Sequence, residues 1–141
     1  MHSKSGAWKN SLLFITLMTS CLLTLHAGAQ SKSTYLLVHG AWHDAWSWHK
    51  VLPLLEKAGR KAVAFNLPGH GNDTADAAGV RLDDYVQRVK SHAMAVDGKV
   101  ILVGHSMAGV VIARAAEELG AGKVEKLVFL GRGLSEWRAH V

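Results

Sequence analysis

Four short apolar runs recur along the chain, and each breaks into a loop of small or polar residues. Tyr35-Leu36-Leu37-Val38 ends at His39-Gly40, and Ala62-Val63-Ala64-Phe65 ends at Asn66-Leu67-Pro68-Gly69-His70-Gly71. Lys99 to Val103 ends at Gly104-His105-Ser106-Met107-Ala108-Gly109, and Lys126-Leu127-Val128-Phe129-Leu130 completes the set. Runs of this length, rich in β-branched residues and bounded by turn formers, predict strands buried on both faces. Between them the hydrophobic period changes to that of a helix. Ser47 to Ala58 predicts a helix closed by Gly59 at its C′ position. Pro53 deletes a backbone donor there, so this helix either starts late, near Lys50, or is kinked. Asp83 or Asp84 opens a second helix, in which Tyr85, Val86, Val89, Ala93 and Val96 recur at helical spacing, and the dipole favours an acidic start. Val110 to Leu119 predicts a third, stopped by Gly120.

Strand and helix therefore alternate, which predicts an α/β domain with a parallel sheet and right-handed crossovers. In such sheets the functional loops lie beyond the carboxyl ends of the strands. His39-Gly40-Ala41-Trp42, Leu67 to Gly71 and His105-Ser106-Met107 all fall there. Ser106 is the most informative of these residues. A serine on a sharp strand-to-helix turn is a nucleophile elbow, its hydroxyl lifted clear of the sheet. The N–H of Met107, at the start of the following helix, can then help to hold an oxyanion. Such a turn demands small residues on either side, here Gly104 and Ala108.

Not all 141 residues are expected in the folded product. Lys4 and Lys9 precede an uncharged apolar stretch, Leu12 to Leu25, which leads to Ala27-Gly28-Ala29. A basic start, a short apolar core and an A-x-A-like site predict a signal peptide over residues 1–29, cleaved before Gln30. The stretch is shorter than the roughly 20 apolar residues of a membrane span. A retained anchor is the alternative, and Cys21 only faintly resembles an acylation site, because Leu22-Leu23-Thr24-Leu25 continues apolar after it. The expected product is exported, periplasmic or secreted, without a stable membrane span. Cleavage would also remove the single cysteine, leaving neither a disulfide nor a thiol nucleophile. About 112 residues remain, enough for one small domain. Of the formal net charge of +5, Lys4 and Lys9 supply two. The other basic residues are interspersed with acidic ones, so no nucleic-acid partner is expected.

Four blocks, His39-Gly40-Ala41-Trp42-His43-Asp44-Ala45-Trp46-Ser47-Trp48, Pro53-Leu54-Leu55-Glu56, Leu67-Pro68-Gly69-His70-Gly71 and Gly104-His105-Ser106-Met107, occur in this order. Together they resemble the α/β-hydrolase superfamily, and within it the branch of plant methylesterases and hydroxynitrile lyases with bacterial esterase relatives. The resemblance runs from Thr34 to Leu130. It implies a partial α/β-hydrolase fold with four parallel strands and crossover helices, and a small-molecule ester as substrate. It implies Ser106 as nucleophile, the N–H groups of Ala41 and Met107 as oxyanion hole, and Trp42 and His105 beside the acyl pocket. No cofactor is expected. Ala108 replaces a commoner glycine, and Asn66 stands where many relatives carry an aspartate. The family's acid and histidine follow the serine on later loops, in the order Ser, Asp/Glu, His. Residues 131–141 do not resemble that continuation and are read as a divergent tail behind a hydrolase part at 30–130. Glu136 and His140 come in the right order, yet they lie too soon after the strand at Leu130 to serve as partners.

Several bland readings stand beside these. His39, His43 and His49 invite a metal, but no H-E-x-x-H or Cys/His spacing supports one. Trp42, Trp46 and Trp48 either line an apolar cleft or, for two of them, pack the first helix. His105 suits a pocket wall better than a base. A serine hydroxyl is a poor nucleophile without a positioned base, so a weak or inactive hydrolase on a marginal fold is expected. A non-catalytic remnant and a hydroxynitrile-lyase-like use of the scaffold are the alternatives. Leu127 to Leu130 would form an exposed sheet edge, which invites self-association.

Overall fold

The structure, a computed structural model, describes residues 32–131. The leader with Ala27-Gly28-Ala29 and the tail with Glu136 and His140 lie outside the described residues. Four strands alternate with helices: β1 (Thr34–Val38), α1 (Val51–Lys57), β2 (Ala62–Phe65), α2 (Leu82–Met94), β3 (Val100–His105), α3 (Ala108–Leu119) and β4 (Val124–Leu130). All three strand pairs are parallel, and the order across the sheet is β2-β1-β3-β4. The α/β class and the four-stranded partial hydrolase sheet are as the alternation predicts.

The first helix takes the late start, near Lys50, that Pro53 predicts. Ser47 to Ala58 is not one helix but a 3₁₀ turn at Ala45–Trp48 followed by α1, with Lys50 at the N-cap. The Asp44 carboxylate accepts the Trp46 N–H at 2.8 Å and so closes the 3₁₀ turn. Pro53 then falls in the first turn of α1, where a backbone N–H would have no partner within the helix. Two other boundaries move. α2 begins at Leu82, with Asp83 and Asp84 in its first turn, and Asp84 accepts the Arg81 N–H at 2.8 Å. α3 begins at Ala108 rather than Val110, directly behind the serine turn.

The strands bury residues on both faces with period 2. Leu36, Val38, Phe65, Val100 and Leu102 meet Val86, Val89 and Ala93 of α2 and Val111, Ile112 and Ala115 of α3. Leu37, Ile101 and Val103 point the other way, onto Trp48 with Val51, Leu52 and Leu55. Of the three tryptophans near the first loop, Trp48 alone packs into this layer; Trp46 is 71% exposed and stacks on His49. β4 is an edge of the described sheet and holds no fully buried residue, whereas β3 is buried from Val100 to Gly104. Its register skips Glu125, an irregularity at the start of the pairing with β3. Among the described residues, no helix is long and apolar enough to cross a membrane.

Candidate active site

The chain passes from β1 to β2 on one side, then crosses back over β1 to β3 on the other. Strand order reverses between β1 and β3, and the crevice outside the carboxyl ends at such a point is where open α/β sheets bind ligands. Register aligns the two loops that flank it. Val38 pairs with Gly104, so Ala41 and Met107 each lie three residues beyond a matched pair.

The turn predicted at Ser106 is present. Ser106 adopts φ 53°, a left-handed conformation that costs an L residue about 1–2 kcal/mol. Hydrogen bonds on both sides hold it there. The Ser106 N–H donates to the Leu130 carbonyl at 2.7 Å, and the Ser106 carbonyl accepts the Gly109 N–H at 3.0 Å as α3 begins. The side chain is left exposed. The small-residue frame has a direct cause: a Cβ on Gly104 would stand 2.8 Å from the Ala108 carbonyl oxygen and 2.9 Å from Ile112 Cδ1.

On the β1 side, Gly40 is pressed against the serine turn. A Cβ there would meet His105 Nδ1 at 2.9 Å and Ser106 Cβ at 3.1 Å. The loop then turns tightly, with the His43 N–H donating to the Gly40 carbonyl at 3.3 Å. Among the described residues, neither the Ala41 N–H nor the Met107 N–H has a hydrogen-bond partner. Two donors without a partner among the described residues thus lie on loops beyond neighbouring strands, at the same sheet edge as the exposed Ser106.

Trp42, expected beside the acyl pocket, is 98% exposed with φ 63°, so nothing among the described residues covers it. His105 is half-buried, and its ring stands edge-on to that of His43 at 5.6 Å. Among the described residues no imidazole hydrogen-bonds the Ser106 hydroxyl, and the imidazoles of His43, His49 and His70 bond to backbone through Nδ1. Nδ1 of His43 lies 2.8 Å from the Ala41 carbonyl, Nδ1 of His49 2.9 Å from that of Trp46, and Nδ1 of His70 3.0 Å from that of Pro68. Among the described residues, no group of three His, Cys, Asp or Glu side chains is placed to hold a metal ion.

The β2 loop is held by polar residues that sequence reasoning passed over. Asn66 accepts the Ala45 N–H at 2.7 Å and donates to Asn72 at 2.7 Å, so it ties the β2 loop to the β1 loop. Asp73 accepts the N–H groups of Gly69 and Ala75, both at 3.0 Å, and pairs with Arg88 of α2 at 2.7 Å. Those two backbone donors, with the Arg88 guanidinium beside them, hold its carboxyl down at about 2. Arg88 also donates to the Asn66 carbonyl at 2.9 Å. An Asx turn signal at Asp73 was available from sequence; its partner on a helix fifteen residues away was not. A hollow of about 480 Å³ beside this loop, lined by Pro68, Asp76, Asp84 and Arg88 among others, does not include Ser106.

Residues 35–136 match the Alpha/beta hydrolase family. The chain is 41% identical over 99 residues to Salicylic acid-binding protein 2 of Nicotiana tabacum, covering 68% of this chain and 38% of that protein. It is 38% identical over 112 residues to Alpha-hydroxynitrile lyase of Arabidopsis thaliana, covering 76% and 42%. Methylesterases of Arabidopsis thaliana also match. An extracellular alpha/beta-hydrolase from a Paenibacillus species, described as sharing structural and functional homology with the tobacco protein, superposes with a TM-score of 0.62 at 28% identity. That superposition covers 69% of this chain and 39% of the solved one. The chain spans about two fifths of the length of the curated relatives it matches.

Proposed function

This chain belongs to the alpha/beta hydrolase family, and from that premise we propose that it carries the nucleophile and oxyanion half of a serine hydrolase of carboxylesterase type, acting on small-molecule esters. One observation carries the reading: the N–H groups of Ala41 and Met107, without a hydrogen-bond partner among the described residues, belong to the two loops that meet at the exposed Ser106. In the acylation step the Ser106 oxygen attacks the ester carbonyl carbon as its proton leaves to a base. The carbonyl oxygen takes up negative charge, which the two N–H groups stabilise in place of water. Collapse expels the alcohol and leaves an acyl-serine, which water then hydrolyses. Removing one such donor costs about 10²–10³ in rate in a well-studied protease. In this reading Trp42 and His105 border the acyl group, and among the described residues no imidazole is hydrogen-bonded to the Ser106 hydroxyl to serve as its base.

That last feature favours a second reading, a non-catalytic use of the same edge, because among the described residues no imidazole hydrogen-bonds the Ser106 hydroxyl. The match to a hydroxynitrile lyase supports a third, non-hydrolytic chemistry on the same scaffold. Export belongs to the proposal too. It rests on Lys4, Lys9, Leu12 to Leu25 and Ala27-Gly28-Ala29, and it agrees with the extracellular relative. Self-association through the β4 edge is proposed on the same footing.

The test is hydrolysis of short p-nitrophenyl esters by the full chain beside a Ser106→Ala control, with mandelonitrile cleavage followed in parallel. Turnover of the ester that the substitution abolishes supports the hydrolase. Cleavage of mandelonitrile alone favours the lyase, and a folded protein indistinguishable from its control on both substrates favours the non-catalytic reading.

A further inference from the structure

His39 is the most buried polar side chain at the sheet edge, with no exposed surface, and both of its ring nitrogens are committed. Nε2 accepts the Leu67 N–H at 3.0 Å. A nitrogen that accepts carries no proton, so in the neutral ring the proton is on Nδ1. Nδ1–H then donates to the Gly40 carbonyl, 2.9 Å away. The ring is a strut between two loops, from the end of β1 to the end of β2.

The Gly40 carbonyl and the Ala41 N–H belong to one peptide unit. That unit is planar and trans, so its C=O and N–H point in opposite directions. A grip on the oxygen therefore aims the N–H. The grip is double, because the His43 N–H also reaches the Gly40 oxygen at 3.3 Å. Gly40 is in turn wedged against His105 and Ser106, so the plane can neither slide nor rotate freely.

We propose that His39 is the positioning residue of this edge, its neutral ring holding the Gly40–Ala41 peptide so that the Ala41 N–H points to the place where negative charge develops beside Ser106. The proposal deepens the hydrolase reading and rests on Ala41 being an oxyanion donor. It adds a requirement, that the ring stay neutral, since a second proton on Nε2 would confront the Leu67 N–H. Burial favours that state and pushes the imidazole below its ordinary value, and His70 and His43 push the same way; the bond to Gly40 and the Asp44 carboxylate act against them. His70 faces the ring from the β2 loop at 5.0 Å between centroids. Asp44 and His43 lie on the same loop as His39 itself.

Two substitutions separate the two bonds. In His39→Asn the carboxamide N–H stands near the position of Nδ1 and retains the grip on Gly40. In His39→Gln the carboxamide oxygen stands near that of Nε2 and retains the bond to Leu67 alone. Full-length native, H39N, H39Q and S106A proteins are treated with diethyl p-nitrophenyl phosphate, whose phosphoryl oxygen uses the same donors, and nitrophenol release is timed. We expect H39N to react more slowly than the native chain yet about tenfold faster than H39Q, within the loss that a misaimed oxyanion donor produces. Nitrogen-15 imidazole and amide spectra of the same proteins supply a measurement independent of reactivity. Nδ1 of His39 should be the protonated nitrogen, and the Ala41 amide resonance should move further in H39Q than in H39N. In the native protein, acid titration should shift the Leu67 and Ala41 amides together as His39 protonates, which tests the strut even where a variant does not fold. Equal rates in H39N and H39Q, a proton on Nε2, or an Ala41 amide indifferent to His39 protonation would overturn the proposal. A native chain no more reactive than S106A would overturn the serine reading instead, while the spectra still decide the role of His39.

Discussion

Gly40 and Ser106 come from loops after different strands, yet a Cβ on Gly40 would stand 3.1 Å from the Ser106 Cβ. The contact exists because β1 and β3 are neighbours in register, Val38 against Gly104, although 65 residues separate the two strand ends in sequence. Only a residue without a side chain lets the β1 loop lie this close to the serine turn.

Gly40→Ala should therefore displace the loop. We expect it to lower stability by about 1–3 kcal/mol, the ordinary cost of overpacking. It should also slow phosphorylation of Ser106 by an organophosphate, because the Ala41 N–H moves with its neighbour. Urea unfolding together with timed nitrophenol release measures both effects; an unchanged rate would detach the loop from the site.

Ser106 pays for its position with a left-handed backbone, φ 53°. Both Ser106→Gly and Ser106→Ala remove the hydroxyl, but only glycine removes the Cβ that opposes this conformation. The glycine variant should be more stable than the alanine variant by about 1 kcal/mol. Their melting temperatures, compared in one buffer, check this. Equal values would mean that the turn relaxes without the hydroxyl.

Asp73 gives the β2 loop a defined acid limit. Its carboxyl is held at about 2, below its ordinary 3.8, chiefly by the N–H groups of Gly69 and Ala75 and by Arg88. For a depressed carboxyl the stabilisation is fully present above the unfolded value and is lost as pH falls through the folded one. The stability difference between the native chain and Asp73→Asn should be constant at neutral pH. It should shrink as pH drops from about 3.8 to about 2. Denaturant unfolding across that range would expose a gap that does not close.

The β4 edge has its own test. Leu130 is 41% exposed at the end of a strand with no outer neighbour among the described residues. A charge on an edge strand opposes pairing with another chain. Leu130→Lys should shift sedimentation towards the monomer if copies associate along β4, and an unaltered profile would place any association elsewhere.

Processing of the leader is read directly by mass. Protein recovered from an exporting host should begin at Gln30 and lack the only cysteine. A product that retains Leu12 to Leu25 would set the export proposal aside.

Hydrophobic period alone determined the four strands, the three helical segments and the alternation that makes the sheet parallel, because a short apolar run between turn formers marks each strand, even β4, which holds no fully buried residue. The serine turn was equally legible, since Gly104 and Ala108 are local requirements of a local bend. What sequence could not settle was whatever depends on which strands are neighbours. The order β2-β1-β3-β4 brings Gly40 against Ser106, and period is silent about order. Pro53 signalled an interruption, but only the Asp44-capped turn decided that the segment splits into a 3₁₀ turn and α1. Three tryptophans in seven residues looked alike, and tertiary packing buried Trp48 alone among them. Asn66 looked like a minor departure from its relatives, and His39 a residue that merely precedes a glycine. Each became a bridge between loops through hydrogen-bond partners twenty-one and twenty-eight residues away. Local sequence records what a residue asks of its own backbone; a side chain that ties two loops together is defined by a partner that only the folded sheet supplies.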